Sequence, residues 1–110
     1  MRILIVDVNK EQCEHTAAEL SAKGYSVRTA YNTSEAIVIV NDQQPELLVL
    51  DVAAPGLPLE QFTKAVRNHV PACKVIIAAG PVTVIERARA LKADDSIKKP
   101  YTVSELLKKI

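Results

Sequence analysis

The sequence predicts an α/β fold, a doubly wound three-layer sandwich in which five helices cover both faces of a five-stranded parallel sheet. Short apolar runs, such as those at residues 3–6 and 47–50, alternate with longer amphipathic stretches along the whole chain. These runs are apolar at every position, which is typical of strands that are buried on both faces. The chain has 110 residues, 48% of them hydrophobic, which suits one domain with its own core.

The five predicted strands are separated by helices in strict alternation. They occupy residues 3–6, 25–30, 47–50, 75–79 and 96–98. The second strand alternates in part between apolar and polar residues, and the fifth strand is short. Because a helix follows each strand, right-handed crossovers must join the parallel strands, and few topologies remain.

Capping signals place the five helices. The helices are predicted at residues 10–23, from 33 to about 41, at 59–69, from 81 to about 92, and from 103 to the end of the chain. Asn9 with Gln12, and Thr102 with Glu105, have the spacing of a capping box. Pro81 suits the first turn of the fourth helix, where an N–H group would have no partner inside the helix.

Composition and charge argue against several classes of function. The formal net charge is +1, so electrostatics gives no reason to expect this domain to bind nucleic acid directly or a membrane surface. No apolar run approaches the ~20 residues of a membrane span, and the apolar stretch at the N-terminus is too short for a signal peptide. We therefore expect a cytoplasmic protein in which Cys13 and Cys73 are free thiols, because their spacing fits neither a metal site nor a disulfide framework.

Three ionisable residues directly follow predicted strands. Asp7 comes after the first strand, Asp51 after the third and Lys99 after the fifth. Ligands of open α/β sheets bind beyond the carboxyl ends of the strands, at the point where the strand order reverses. If the strand order is 2-1-3-4-5, the two acids are neighbours at that point and Lys99 reaches across to them. Two carboxylates can hold Mg²⁺, and a carboxylate beside a cation and an ammonium group can accept a phosphoryl group.

Three segments resemble one family along essentially the whole chain. Residues 2–7 read RILIVD, residues 48–51 read LVLD and are followed by Pro55, and residues 93–101 read ADDSIKKPY. In this order and spacing they resemble the receiver domains of bacterial two-component response regulators. The resemblance implies a flavodoxin-like sheet of order 2-1-3-4-5 and one receiver domain over residues 1–110. It is also consistent with a domain that forms the N-terminal part of a longer protein.

The resemblance assigns a role to each matching position. Asp51 matches the phosphorylated aspartate, and Asp7 matches the first acid of the pair that binds Mg²⁺. Ala53 matches the position whose backbone carbonyl binds the metal, and Lys99 matches the lysine that contacts the phosphoryl group. The Lys99-Pro100 peptide bond matches a bond that is typically cis in the family.

Three functional positions depart from the family pattern. Val8 replaces the second acid of the pair, which removes a metal ligand and a negative charge, so we expect weak or absent Mg²⁺ binding. Asn9 or Glu11 could supply the missing oxygen, although both follow the strand end. Ala79 replaces the Ser or Thr that bonds the phosphoryl group, and Ser96 replaces the aromatic switch residue. The domain is therefore predicted to be an atypical member whose usual switch is degenerate.

The predicted function is that of a receiver domain in two-component (phosphorelay) signal transduction, which accepts a phosphoryl group on Asp51 from a histidine kinase. We expect no enzyme activity beyond this self-catalysed transfer. The alternative is a pseudo-receiver, a protein-interaction module that does not depend on phosphorylation. A phosphatase resembling the haloacid dehalogenases is disfavoured because Asp7 is followed by Val8 and Asn9, without a second acid. A flavodoxin-like cofactor binder is disfavoured because the loop after the first strand is not rich in Ser, Thr or Gly.

The expected partners are a sensor histidine kinase and an output domain or partner protein. In the family the usual partner face, also used for homodimers, combines helix 4, strand 5 and helix 5. Here that face is predicted to carry Ile85, Arg89, Lys98, Tyr101 and Leu106. Tyr31 and Tyr101 are expected at the same sheet edge as the acids, either lining the pocket or packing at the helix junctions.

Overall fold

The computed structural model describes the backbone of residues 1–80 and 84–110, with side chains throughout except at positions 84 and 85. The strands are β1 (Arg2–Val6), β2 (Ser26–Ala30), β3 (Leu47–Asp51), β4 (Lys74–Ala79) and β5 (Asp95–Lys98). The helices are α1 (Lys10–Ala22), α2 (Thr33–Gln43), α3 (Leu59–His69), α4 (Val84–Ala90) and α5 (Val103–Leu107). Within the described ranges no helix is long and apolar enough to cross a membrane.

The five strands form one parallel sheet of order β2-β1-β3-β4-β5, as predicted. In β1, Ile3 is paired with Val27 of β2 on one side and with Leu47 of β3 on the other. The chain moves outward from β1 to β2, returns to β3, and then continues toward β5. The strand order therefore reverses between β1 and β3, which is where this class of sheet binds its ligands.

Two apolar cores cover the two faces of the sheet because successive strand residues point to opposite sides. One core places Leu4, Leu48 and Ile77 against helices α2, α3 and α4. The other places residues such as Ile5 and Val49 against α1 and α5. The central strand β3 is buried along its whole length, which explains why its sequence lacks the alternation of a half-exposed strand.

Side-chain caps fix three of the helix starts. Asn32 accepts a hydrogen bond from the backbone N–H of Glu35 and caps α2. The box predicted at Thr102 and Glu105 is complete, with hydrogen bonds in both directions at the start of α5. Asn9 also caps α1 by accepting from a backbone N–H of the first turn. The reciprocal bond of a capping box is not formed there among the described residues, since the neighbouring glutamine side chain approaches Thr16 instead.

Helix α2 is two residues longer than predicted and ends at Gln43. The Gln43 side chain donates to the backbone carbonyls of Ile3 and Ser26, which ties the end of the helix to the sheet. Gln44 then adopts a left-handed backbone with φ of 52°, and its N–H bonds to the Val40 carbonyl. This conformation ends the helix, although the residue here is not the glycine that usually marks such a helix end.

Two later helices are shorter than predicted. Helix α4 ends at Ala90 because Lys92, where the prediction placed the end, has a positive φ of 55°. Helix α5 ends at Leu107 and does not reach the end of the chain, because the N–H groups of Lys109 and Ile110 bond three residues back. The prediction that Pro81 lies in the first turn of the fourth helix falls outside the described residues. The remaining boundaries agree with the predictions to within one residue.

Candidate functional site

The three predicted site residues meet at the carboxyl edge of the sheet. Asp7 directly follows β1, Asp51 ends β3 and Lys99 directly follows β5. Both aspartates are about 2% exposed, so their carboxylates are almost completely removed from water. Buried carboxylates are unfavourable unless a charged partner or hydrogen bonds compensate for the lost hydration.

Lys99 supplies that charged partner to both acids. Its Nζ lies 3.1 Å from Oδ2 of Asp51 and 3.2 Å from Oδ2 of Asp7. Its side chain is about a quarter exposed, so the ammonium group lies at the mouth of the site. The two carboxylates and one ammonium leave a formal charge of −1, which favours a cation or a cation-bound anionic substrate.

Backbone N–H groups orient the two carboxylates. The N–H of Asn9 donates to Oδ1 of Asp7 at 2.9 Å, and the N–H of Ala53 donates to Oδ1 of Asp51 at 3.0 Å. The N–H of Val8 approaches Oδ2 of Asp51 at 3.5 Å. Each bond comes from a turn that begins directly after the strand, so the strand end and its loop together determine where the acid points.

The electrostatics of the site follow from burial and from the pairing of like charges. Burial raises the pKa of the Asp7 carboxyl, and the nearby charge of Asp51 raises it further, while Lys99 opposes both effects. Burial by itself lowers the pKa of the Lys99 ammonium. The hydrogen bond and charge of Asp51, together with the charge of Asp7, outweigh that burial and raise the pKa of Lys99 above its usual value.

The three departing positions lie in different places around the site. Val8 is 49% exposed and directly follows Asp7, so an apolar side chain stands at the mouth of the pocket. Ala79 is buried at the end of β4, and its carbonyl accepts the N–H of Lys99 at 2.7 Å. Ser96 is half-buried within β5, paired with Ile77 of β4. No hydroxyl or ring at these positions reaches the carboxylates.

The donor set fits a hard divalent cation. Asp7 and Asp51 offer carboxylate oxygens at the same edge of the sheet, on either side of the point where the strand order reverses, and the Ala53 carbonyl belongs to the loop that follows Asp51. Hard cations of this kind take oxygen ligands. Asn9 uses its side-chain oxygen to cap α1, and Glu11 is exposed in the first turn of that helix. The set thus contains only two acidic side chains, and among the described residues no metal-binding group of three or more His, Cys, Asp or Glu side chains is found.

A cavity of about 310 Å³ opens beside Lys99. It is lined by Asn9, Gln12, Lys99, Pro100 and Tyr101, between the start of α1 and the loop before α5. The Lys99-Pro100 peptide bond is cis, in agreement with the resemblance. Of the two tyrosines whose places were left open, Tyr101 therefore lines this cavity.

Tyr31 lies elsewhere. Its hydroxyl donates to Glu14 at 2.8 Å, and the Lys10 ammonium stands 4.9 Å from its ring centroid, so it packs against the outside of α1.

A residue without any local sequence signal for this role, Thr33, holds the loop after Asp51. The N–H of Thr33 donates to the Pro55 carbonyl at 2.9 Å, and its hydroxyl lies 3.1 Å from the same oxygen and 3.0 Å from the Leu57 carbonyl. The sequence predicted Thr33 only as part of a helix start. The Pro55-Gly56 pair did predict a turn, but no local pattern shows which element that turn contacts 22 residues away.

The predicted partner face is only partly exposed. Arg89 and Lys98 are exposed, as a binding surface requires. Tyr101 and Leu106 are buried, 7% and 0% exposed, and belong to the core between the sheet and helices α1 and α5. Their place on a partner face was wrong, because Tyr101 packs into this core from the loop before α5 and the face of α5 that carries Leu106 points inward. The side chain of Ile85 lies outside the described part of the chain.

A doubly wound sheet of this order, with two aspartates and a lysine where the strand order reverses, is the arrangement of a receiver domain. The chain belongs to the response regulator receiver domain family, whose model matches residues 3–110. Response regulator MprA of Mycobacterium avium is 34% identical over 109 residues, which cover 97% of this chain and 48% of that protein. MprA of Mycobacterium leprae is 35% identical over 112 residues, covering 100% and 49%. The chain thus spans about half the length of these curated relatives.

Solved structures agree with this assignment. A CheY-like response regulator receiver domain protein from Methanospirillum hungatei superposes with a TM-score of 0.86 at 25% identity, covering 98% of this chain and 88% of that one. A two-component response regulator from Clostridium difficile gives 0.85 at 26% identity, covering 99% and 91%. The domain is therefore a receiver domain of two-component signal transduction. A pseudo-receiver that acts without phosphorylation is not supported over this assignment.

Proposed function

We propose that Asp51 accepts a phosphoryl group, and that Asp7, Asp51 and the Ala53 carbonyl bind the Mg²⁺ that receiver domains generally use. The observation that carries this proposal is the contact of Lys99 with both buried acids, at 3.1 and 3.2 Å. A lysine in this place compensates for negative charge that gathers at one point of the sheet edge, as phosphoryl transfer requires.

The transfer itself needs a nucleophile, a held geometry and compensating charge. A carboxylate oxygen of Asp51 forms a bond to phosphorus while the bond from phosphorus to the donor breaks, and the electron pair of that bond leaves with the donor. The Ala53 N–H holds one Asp51 oxygen, which limits the directions from which phosphorus can be approached. Lys99 stays within reach of the oxygens that carry the transferred charge. Bound Mg²⁺ would supply further neutralisation of the phosphoryl oxygens.

The partners of the whole protein are also proposals. Response regulators pair with histidine kinases and output domains, and we propose a phosphorylated kinase histidine as the donor and an output domain or partner protein as the receiver of the signal. For contacts with that partner or with a second copy, we propose the exposed part of the face formed by α4, β5 and α5, with Arg89 and Lys98. We place the domain in the cytoplasm, supported by the two free buried thiols, Cys13 and Cys73.

The test is direct phosphorylation with a small donor. The protein is incubated with acetyl phosphate and Mg²⁺, and the intact mass is measured at short times. We expect the wild type and Asp42→Asn, which changes an exposed acid paired with Arg28, to gain one phosphoryl group. Asp51→Asn should gain none. The proposal is overturned if the wild type gains no mass, or if Asp51→Asn gains as much as the control.

A second variant separates the role of Lys99 from that of the acids. Lys99→Met keeps an unbranched stem and removes the charge, so the phosphorylation rate should fall at least tenfold, the loss expected when one compensating charge near the reacting oxygens is removed. A rate equal to that of the wild type would show that Lys99 serves only to balance the buried carboxylates.

A further inference from the structure

Thr33 is fully buried at the first turn of α2, and it contacts the loop that leaves the proposed phosphoacceptor. Its backbone N–H and its hydroxyl both lie within hydrogen-bond distance of the Pro55 carbonyl, at 2.9 and 3.1 Å. The hydroxyl also lies 3.0 Å from the Leu57 carbonyl. One residue of α2 is thus bonded to two carbonyls on either side of Gly56.

These bonds satisfy hydrogen-bonding groups of both the helix and the loop. The first N–H groups of a helix have no partner within the helix, so the Pro55 carbonyl supplies one for the N–H of Thr33. The Thr33 hydroxyl carries a single proton, which is shared between the two loop carbonyls or donated to one at a time. Since Thr33 is buried, water cannot take the place of its hydroxyl. Removing the hydroxyl would therefore cost the Leu57 carbonyl this bond, while the Pro55 carbonyl would keep only the N–H of Thr33.

The loop also fits tightly around Thr33. Gly56 has a φ of 112°, a backbone that favours glycine. A side-chain carbon at Gly56 would lie 2.7 Å from the Thr33 hydroxyl oxygen and 3.0 Å from the Ser34 hydroxyl oxygen. The loop therefore approaches the start of α2 as closely as atoms allow, and it can take few other positions while these bonds are present.

The loop connects this contact directly to the site. At its start, Asp51 receives the N–H of Ala53 at its side chain and the N–H of Ala54 at its carbonyl. Pro55, which Thr33 holds, is only two residues beyond Ala53. The segment between Asp51 and Pro55 is thus fixed at both ends, and the Ala53 carbonyl lies within it.

We propose that Thr33 is a positioning residue for the phosphoryl-acceptor site. Its hydroxyl holds residues 52–57 so that the Ala53 carbonyl stays aligned with the carboxylates of Asp7 and Asp51. This inference rests on the proposed function, because it concerns the same metal and acceptor site. It adds that α2, which contributes no atom to the site, controls how well the site is formed.

The test compares Thr33→Val, which keeps the shape and removes the hydroxyl, with Thr33→Ser, which keeps the hydroxyl. Thr63→Val is the matched control, because Thr63 is equally buried and its hydroxyl bonds to Glu60 within its own helix. The first readout is hydrogen exchange of amides 52–57 without metal. The second is the dissociation constant for Mg²⁺, and the third is the rate of phosphorylation by acetyl phosphate. Circular dichroism and urea unfolding establish that each variant is folded.

We expect Thr33→Val to exchange the loop amides about fivefold faster and to bind Mg²⁺ about fivefold more weakly, since a net hydrogen bond contributes about 1 kcal/mol. Its phosphorylation should slow at low Mg²⁺ and recover at high Mg²⁺. Thr33→Ser and Thr63→Val should resemble the wild type in all three measurements. The inference fails if Thr33→Val matches Thr63→Val, or if Thr33→Ser does not restore the wild-type values.

The two proposals fail in distinguishable ways. If the wild type accepts no phosphoryl group, the proposed function fails, while loop exchange and Mg²⁺ binding still decide whether the Thr33 hydroxyl holds the loop. If the wild type is phosphorylated and the Thr33 variants do not differ in Mg²⁺ dependence, only the inference about Thr33 fails.

Discussion

Placing an acid at position 8 should strengthen Mg²⁺ binding. Val8 directly follows Asp7, is half exposed, and its N–H lies 3.5 Å from Oδ2 of Asp51. A carboxylate about 4 Å from a divalent cation gains about 2 kcal/mol in water, the dielectric that suits so exposed a position. The same charge also favours protonation of Asp7, whose pKa is already raised by burial, and this offsets part of the gain. Val8→Asp should therefore bind Mg²⁺ about 10- to 30-fold more tightly.

Calorimetric titration of Mg²⁺ at fixed ionic strength measures this effect, because exposed charges are sensitive to salt. Val8→Asn offers an oxygen without a charge and should gain less than Val8→Asp. Val8→Leu should bind like the wild type. The gain should also shrink as salt is raised. Equal affinities of the wild type and Val8→Asp would refute the reasoning, as would an equal gain in Val8→Leu.

Three further predictions concern stability. Lys92→Gly should raise the free energy of unfolding by about 1 kcal/mol, because glycine adopts the positive φ of Lys92 with less strain. The control Lys23→Gly, at a φ of −91°, should not stabilise the fold, and urea unfolding compares the two variants. Burial raises the pKa of Cys13 to about 12 and of Cys73 to about 11, so unfolded thiols ionise above pH 9 while folded ones stay protonated. Stability should thus be lost as pH rises above 9, by about 1 kcal/mol per thiol at pH 10. The free energy of unfolding should depend less on pH in this range when both cysteines are replaced by alanine. Thr102→Ala should cost about 1 kcal/mol in urea unfolding by removing a cap, and no loss would contradict its role.

The sequence predicted the sheet well because burial on both faces leaves a direct mark on composition. The run at residues 47–50 is apolar throughout, and the structure buries all of β3. Asp7 and Asp51 could be placed at one edge because parallel strands end on the same side of a sheet. These inferences needed only the strand positions and the order of the strands.

The end of α2, the side of α5 that faces the core and the contact of Thr33 depended on tertiary contacts that leave no local signal in the sequence. Gln44 ends α2 in a left-handed conformation, although glycine is the residue that usually marks such an end. Leu106 was wrongly assigned to a partner face, because the resemblance indicates the helix but not which of its sides faces the sheet, and the packing of α5 beside α1 buries Leu106. The hydroxyl of Thr33 reaches carbonyls 22 and 24 residues away, and no spacing within α2 indicates that contact.

The position of Lys99 also determines when the site can form during folding. The contact of Lys99 with Asp51 spans 48 residues, and its contact with Asp7 spans 92. Lys99 follows β5, a four-residue strand at the edge of the sheet. The ammonium group therefore reaches the acids only after chain segments from the beginning, middle and end have docked side by side. Contacts between residues so far apart in sequence form slowly, because a long stretch of chain must first be closed into a loop. Until then the two aspartates face each other without their counter-ion, so the proposed phosphoryl transfer to Asp51 should be slow in any fragment or partly unfolded form that lacks docked β5.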